Sequence, residues 1–201
     1  MEAAMSSQVA AITALLLLLG VVVWLYVATR QTSSRIGQSA YGFGGDLRQR
    51  FVQVLFRVSI ATALASLALH SANSATVFAA PLFDINPAVR NFALALALGG
   101  AALTLFGRSD MGRRWRVGVS GEAPDGLVTQ GLFAYSRNPV FVGMIAVAAG
   151  SALAVPSLPM IAAAAAFAIA CRLQVVDEER LLAVVFGGEY DRYRVAVRRW
   201  L

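Results

Sequence analysis

Asp177, Glu178 and Glu179 stand side by side in a chain with only 11 acidic residues among 201. They follow directly on a long apolar stretch, and the basic residues around them are arginines. Three adjacent carboxylates in such a place repel one another unless a cation is held among them. The pattern continues through Leu182, Phe186, Gly187, Glu189, Tyr190 and Tyr193. Taken alone, this stretch also reads as the solvated face of an interfacial helix, with both tyrosines in the aromatic belt. A second group lies upstream: Gly131, Phe133, Arg137, Asn138, Pro139, Phe141 and Gly143. Asn138-Pro139 is a strong helix start, an N-cap followed by a first-turn proline, and Asn86-Pro87 repeats it. Arg137 taken alone is an interfacial anchor. Carboxylates suit a cationic ligand group, and an arginine suits an anionic one. One His and one Cys rule out a multi-Cys zinc site, a bis-His haem and a disulfide framework. No metal is expected. His70 reads as structural and Cys171 as a small buried residue.

The elements that must position these groups are membrane helices. The chain is 58% hydrophobic and 14% charged, against about 25% charged in soluble domains, and its mean hydropathy is +0.67. All 17 basic residues are Arg, and they cluster between apolar runs rather than along a soluble face, so the net charge of +6 does not point to nucleic acid. An Arg-only, Ala-rich composition fits a GC-rich bacterial genome, hence a bacterial inner membrane. A bilayer core needs roughly 20 apolar residues as helix. Five runs meet or approach that: Val9–Ala28, Phe51–Ser71, Ala88–Gly107, Pro139–Val155 and Leu158–Val176. The first lacks the basic flank of a signal peptide. Arg57, in the second, sits close enough to its start to snorkel to the interface. Pro156–Pro159 leaves room only for a tight hairpin between the last two. The arginines fall between runs one and two, between three and four, and after five, which predicts an N-terminus outside and a cytosolic C-terminus. Every acidic residue falls outside the runs, which argues against a proton-coupled pump. The segment Gly107–Arg137 is too long to be a mere connection. The tail from Asp177 to Leu201 reads as an amphipathic helix on the membrane surface. The expected fold class is therefore all-α: a polytopic membrane bundle of five transmembrane helices with an interfacial C-terminal helix. Residues 1–106 carry helices one to three. Residues 107–201 carry the cytosolic loop, the hairpin and the tail that form the site, within a single structural unit. There is no internal repeat.

Over residues 107–199 the two groups, in order around a hairpin, resemble the isoprenylcysteine carboxyl methyltransferase and phospholipid methyltransferase superfamily of integral membrane enzymes. The family pattern runs roughly G-x-Y-x-x-x-R-H-P-x-Y-x-G, a helical hairpin, then E-E-x-x-L-x-x-x-F-G-x-E-Y-x-x-Y. Here Gly131, Phe133, Arg137, Pro139, Phe141 and Gly143 are followed by Glu178, Glu179, Leu182, Phe186, Gly187, Glu189, Tyr190 and Tyr193 at family spacing. The resemblance implies S-adenosyl-L-methionine as cofactor. It implies that Asp125, Gly126, Leu127 and Val128 line it with their backbone and that Phe133 stands for a family Tyr. Asn138, Pro139, Val140 and Phe141 would wrap it at the start of the fourth helix, and Glu178 would face its amino-acid end. Three positions depart from the pattern: Asn138 stands for His, Phe141 for Tyr, and Gln174 for the substrate-binding Arg of the prenylcysteine enzymes.

The cofactor has a sulfonium and an ammonium, so a carboxylate at the membrane edge is a sensible partner. Methyl transfer needs in-line placement in a dry pocket rather than acid–base help. A lipid-like methyl acceptor could enter sideways from the bilayer, with membrane lipids as the implied partners. The sequence reading is a membrane methyltransferase acting on a lipid-like or hydrophobic acceptor, by carboxylate O-methylation as in the isoprenylcysteine enzymes. Arg137 and Glu179 are the candidate catalytic residues. The alternative in the same fold is phospholipid N-methylation, which needs a proton acceptor near the methyl, with Glu179 the candidate. A non-catalytic lipid-binding or assembly protein is the rival from another class.

Overall fold

The computed structural model describes residues 6–43, 46–74, 76, 80–119 and 125–201. Six α-helices carry the described residues: α1 (Ser7–Ile36), α2 (Leu47–Ser71), α3 (Pro87–Met111), α4 (Pro139–Ala154), α5 (Leu158–Phe186) and α6 (Gly188–Ala196). The chain is an all-helical membrane bundle. Four helices, α1, α2, α3 and α5, are long and apolar enough to cross a membrane. The fourth expected span is a helix of 16 residues, about 24 Å long, short of the roughly 30 Å hydrocarbon core. It is joined to α5 by the expected tight turn, where the Ser157 side chain caps α5 by accepting from the Met160 N–H.

Helix α5 runs on where an interfacial helix was expected to begin. Its 29 residues extend about 43 Å, so the part from Asp177 to Phe186 projects beyond an apolar core spanned by Leu158–Val176. Gly187, at φ 49°, ends it, and only the 9-residue α6 forms a separate tail helix. Hydropathy drops at Asp177 because charge begins there, but nothing in the sequence breaks the backbone helix before the glycine.

The tightest packing lies between α3 and α4. A Cβ on Gly100 would lie 2.6 Å from the Gly143 carbonyl, and one on Gly150 would lie 2.5 Å from the Ala93 carbonyl. Ala93, Ala97, Gly100, Thr104 and Gly107 of α3 thus form a seam of small residues against Gly143, Val147 and Gly150 of α4. In lipid, where apolar burial alone does not drive helices together, such close backbone approach supplies the van der Waals contact.

Both ends of the bundle are tied. At one, the Ser66 and Ser157 hydroxyls share a buried 2.8 Å hydrogen bond, and the Leu82 N–H donates to the Pro156 carbonyl at 2.9 Å. At the other, the segment after α1 pairs with the segment after α3, the Gly42 N–H donating to the Val117 carbonyl at 2.7 Å. There the buried Trp115 donates its indole N–H to the Thr29 hydroxyl at 2.8 Å, and Arg108 donates to the Thr32 hydroxyl at 2.8 Å. Trp115→Phe removes one buried bond and the five-membered half of the indole. It should lower stability by about 2 kcal/mol, read as a drop in thermal midpoint in detergent; an unchanged midpoint would show that the indole is not a tie.

Candidate functional site

Of the expected site residues, Arg137, Asn138 and Glu179 meet by hydrogen bonds where α4 begins, and Val128 packs with Phe133 and Val140. Among the described residues, no side-chain hydrogen bond or ion pair joins Asp125, Gly126, Leu127, Phe141 or Glu178 to that group. The turn Gly131–Ala134 leads into α4 and is held by Asp110, whose carboxylate accepts from the Leu132 N–H at 2.8 Å. Gly131 is required there twice over: its φ is +62°, and a Cβ would collide with the Asp110 carboxylate. Phe133 and Val140 are buried with Trp115 in one apolar cluster, and Val128 packs against it. Pro139 is buried, whereas Leu127 and Phe141 are partly exposed. Asp125 is exposed, and Gly126 lies beside the Arg114 guanidinium.

Glu179 sits at the centre of a closed charge network. Arg137 donates to it at 3.1 Å, and Arg199 donates to both its oxygens, at 3.1 and 2.7 Å. The Asn138 side-chain amide adds a bond at 3.3 Å. Burial alone would raise the Glu179 pKa, but the hydrogen bonds from Arg199 and Arg137 outweigh it and hold the carboxyl below its ordinary range. Arg137 also donates to the Arg194 and Val197 carbonyls at 2.9 and 2.7 Å, and its own backbone N–H donates to the Arg198 carbonyl at 2.8 Å. The strand-like tail after α6 is thereby strapped across the start of α4.

Asn138 is not the side-chain cap that Asn-Pro predicted. Asn86 does cap α3, accepting from the Ala88 N–H at 2.8 Å, but Asn138 makes no such bond. Its amide is turned instead to Glu179 and to the Arg199 carbonyl at 3.0 Å, and its backbone N–H donates to the Ser136 hydroxyl. The same dipeptide has two outcomes because only one of them lies opposite a carboxylate and a free carbonyl. Tyr190 and Tyr193 are also not at an aromatic belt: both are buried, and the Tyr193 hydroxyl donates to the Phe133 carbonyl at 2.7 Å.

The three adjacent acids point to different partners, so no single cation is held among them. Asp177 takes Arg48 at 2.8 Å and Arg180 at 3.6 Å, with the Gln49 amide at 2.8 Å. Glu179 takes Arg137 and Arg199. Glu178, between them, has no ion pair among the described residues and accepts only from the Gln174 amide, at 2.9 Å. Burial pushes its pKa up to about 7, the Gln174 bond opposes that, and the charges of Asp177 and Glu179 add to the rise. Gln174 is itself 1% exposed, and its carbonyl oxygen has no hydrogen-bond partner among the described residues. A carboxylate with a single neutral donor and an acceptor with none therefore share one turn of α5.

A family profile for phospholipid methyltransferases matches residues 89–189, half of the chain. The chain belongs to the phospholipid methyltransferase family. It is thus a membrane methyltransferase by family and by its apolar helices. No curated protein matches the chain. The family match takes in nearly all of α3, α4, α5, the first sequence group and the second as far as Glu189, but ends before Tyr190, Tyr193, Arg194, Val197, Arg198 and Arg199, the last four of which close the network on Glu179. Arg199 was legible only as one more cytosolic arginine. Its single signal in the sequence was an excess of arginines beyond the tail helix, which orientation alone does not require.

Proposed function

We propose that the chain is an S-adenosylmethionine-dependent methyltransferase acting on a lipid-like acceptor, with its site at the cytosolic interface, its N-terminus outside and its C-terminus in the cytosol. One observation carries the cofactor reading: Glu178 is the acid whose neighbours have arginines and which has none. A carboxylate left without a cation, beside the orphaned Gln174 carbonyl, fits the ammonium of an amino-acid group. When bound, S-adenosylmethionine supplies the methyl group as a sulfonium. Glu178 would hold the ammonium end. The segment 125–128 and residues 139–141 offer backbone and apolar contacts to the rest. Arg137, Asn138 and Glu179 act as positioning residues: they fix the start of α4 and the tail against α5, so that these walls stay in register and water is kept out.

Two acceptors fit this frame. Carboxylate O-methylation needs no base. Methylation of a lipid amine needs a proton acceptor. Glu179 is unsuited to that task, since two arginines keep it ionised and occupied. Assay of the purified protein with a lipid amine and with a lipid carboxylate separates the two.

The cofactor prediction is quantitative. Glu178→Gln removes a charge-assisted bond worth about 1.5–3 kcal/mol, so affinity measured by calorimetry should fall roughly ten- to a hundredfold. The parent should also bind more weakly at low pH. Glu178 must be ionised to hold an ammonium, and its pKa is about 7, so affinity falls by up to about tenfold per pH unit below that point and levels off above it. Glu178→Gln should flatten this profile. A steep profile that survives the substitution would remove Glu178 from the cofactor site.

A further inference from the structure

Arg57 lies on a face of α2 that the bundle leaves open. Its neighbours Phe51, Val54 and Val58 are 57%, 54% and 56% exposed, the surface a helix shows to lipid. Arg57 is exposed among them, six residues or about 9 Å past Phe51. An arginine at that depth is costly unless its guanidinium reaches the interface or meets an anion. No ion pair among the described residues involves Arg57.

What Arg57 does meet is a hydroxyl. Its Nη2 donates to the Tyr41 hydroxyl at 3.2 Å, and the Gln53 amide donates to the same oxygen at 2.9 Å. Both bonds use Tyr41 as acceptor, so its own hydrogen is left to donate elsewhere. The remaining guanidinium N–H groups and the second amide hydrogen of Gln53 are donors too. Three donor groups from two chain segments thus meet beside lipid with no acidic oxygen among them. Half-buried aromatic rings continue from this point across α2 to α5: Tyr41 to Phe43 at 5.5 Å, Phe43 to Phe56 at 6.1 Å, and Phe56 to Phe167 of α5 at 5.3 Å, all edge-on. They form an apolar wall leading away from the donors.

We propose that Tyr41, Gln53 and Arg57 form a docking site for the phosphate of a membrane phospholipid, whose acyl chains lie along the Phe43–Phe56–Phe167 wall. A phosphate diester presents its anionic oxygens to a forked guanidinium and a hydroxyl at once, and it resides at the depth to which Arg57 can snorkel. A free phosphate would use the same donors but leave the aromatic wall without a partner. The site needs the helices to lie in a bilayer but does not depend on methyl transfer, and its test reads lipid binding rather than activity.

The full chain, purified in detergent, is titrated with phosphatidylglycerol, with diacylglycerol and with inorganic phosphate, and bound lipid is counted by native mass spectrometry. Phosphatidylglycerol should bind saturably, diacylglycerol far less, and inorganic phosphate should not displace the lipid. Arg57→Gln should weaken phosphatidylglycerol about tenfold, and Tyr41→Phe, which keeps the ring and its packing, should weaken it severalfold. Arg30→Gln, an exposed arginine of α1, should bind like the parent. Thermal midpoints without lipid establish that each variant is folded. Undiminished phosphatidylglycerol binding by folded Arg57→Gln or Tyr41→Phe would overturn the site. Equal binding of diacylglycerol would remove the phosphate from it, and displacement by inorganic phosphate would remove the lipid.

Discussion

Glu179→Ala should be among the most destabilising single substitutions in this chain, lowering stability by about 3–5 kcal/mol. The side chains of Glu179 and Arg137 are 12% and 11% exposed, so the alanine leaves one guanidinium nearly buried and a second half-turned to solvent with no counter-charge. It also removes the oxygen to which Asn138 donates. Arg199→Ala should cost much less. Arg199 is 36% exposed, and its loss leaves Arg137 and Glu179 still paired. Thermal unfolding of both variants in one detergent is the measurement. Equal and small losses would mean that the network is a set of independent surface pairs, each worth little.

The second large effect should come from Gly143. A Cβ there would stand 2.5 Å from the Gly100 carbonyl and from the Thr104 hydroxyl, and 2.7 Å from the Thr104 nitrogen. Two of those atoms are backbone and cannot swing aside, so α3 and α4 must separate along the whole seam. Gly143→Ala should cost about 2–3 kcal/mol, and Gly143→Leu should prevent the native bundle from assembling. Gly99→Ala is the contrast. Its Cβ would meet nothing within 4 Å, so it should be neutral or stabilise by up to about 1 kcal/mol through helix propensity. If Gly143→Ala and Gly99→Ala melt together, the seam is not close-packed in the membrane.

The helices were legible because lipid imposes a length and a composition, and both are visible along one stretch of chain. The Asn86 cap and the hairpin at Pro156 were legible for the same reason, being settled within a few residues. The continuation of α5 through Asp177–Phe186 was not, since hydropathy reports the solvent around a helix rather than the helix. Within the site, the proximity of Arg137, Asn138 and Glu179 could be suspected from motif order alone. Their use could not. Which of the acids Glu178 and Glu179 takes the arginines depends on Arg199 folding back from beyond α6. The turn of Asn138 away from its own helix depends on the same event. Gly143 could be recognised as a letter of a pattern, but its reason lies in the backbone of a different helix.

The strap that closes on Arg137 has a bearing on how the molecule fails. Every bond that holds residues 193–199 to the start of α4 joins positions far apart in the chain, and of those residues only Tyr193 has a buried side chain. Such a segment is a cooperative unit of its own, with a smaller opening free energy than the helices beneath it. When it lifts, Arg137 loses three carbonyls, Asn138 loses one, and the charges at Glu179 pass from a dry setting into water, while the α3–α4 seam stays shut. Heat inactivation is therefore expected to precede melting, with its onset set by a short stretch of tail rather than by the bundle.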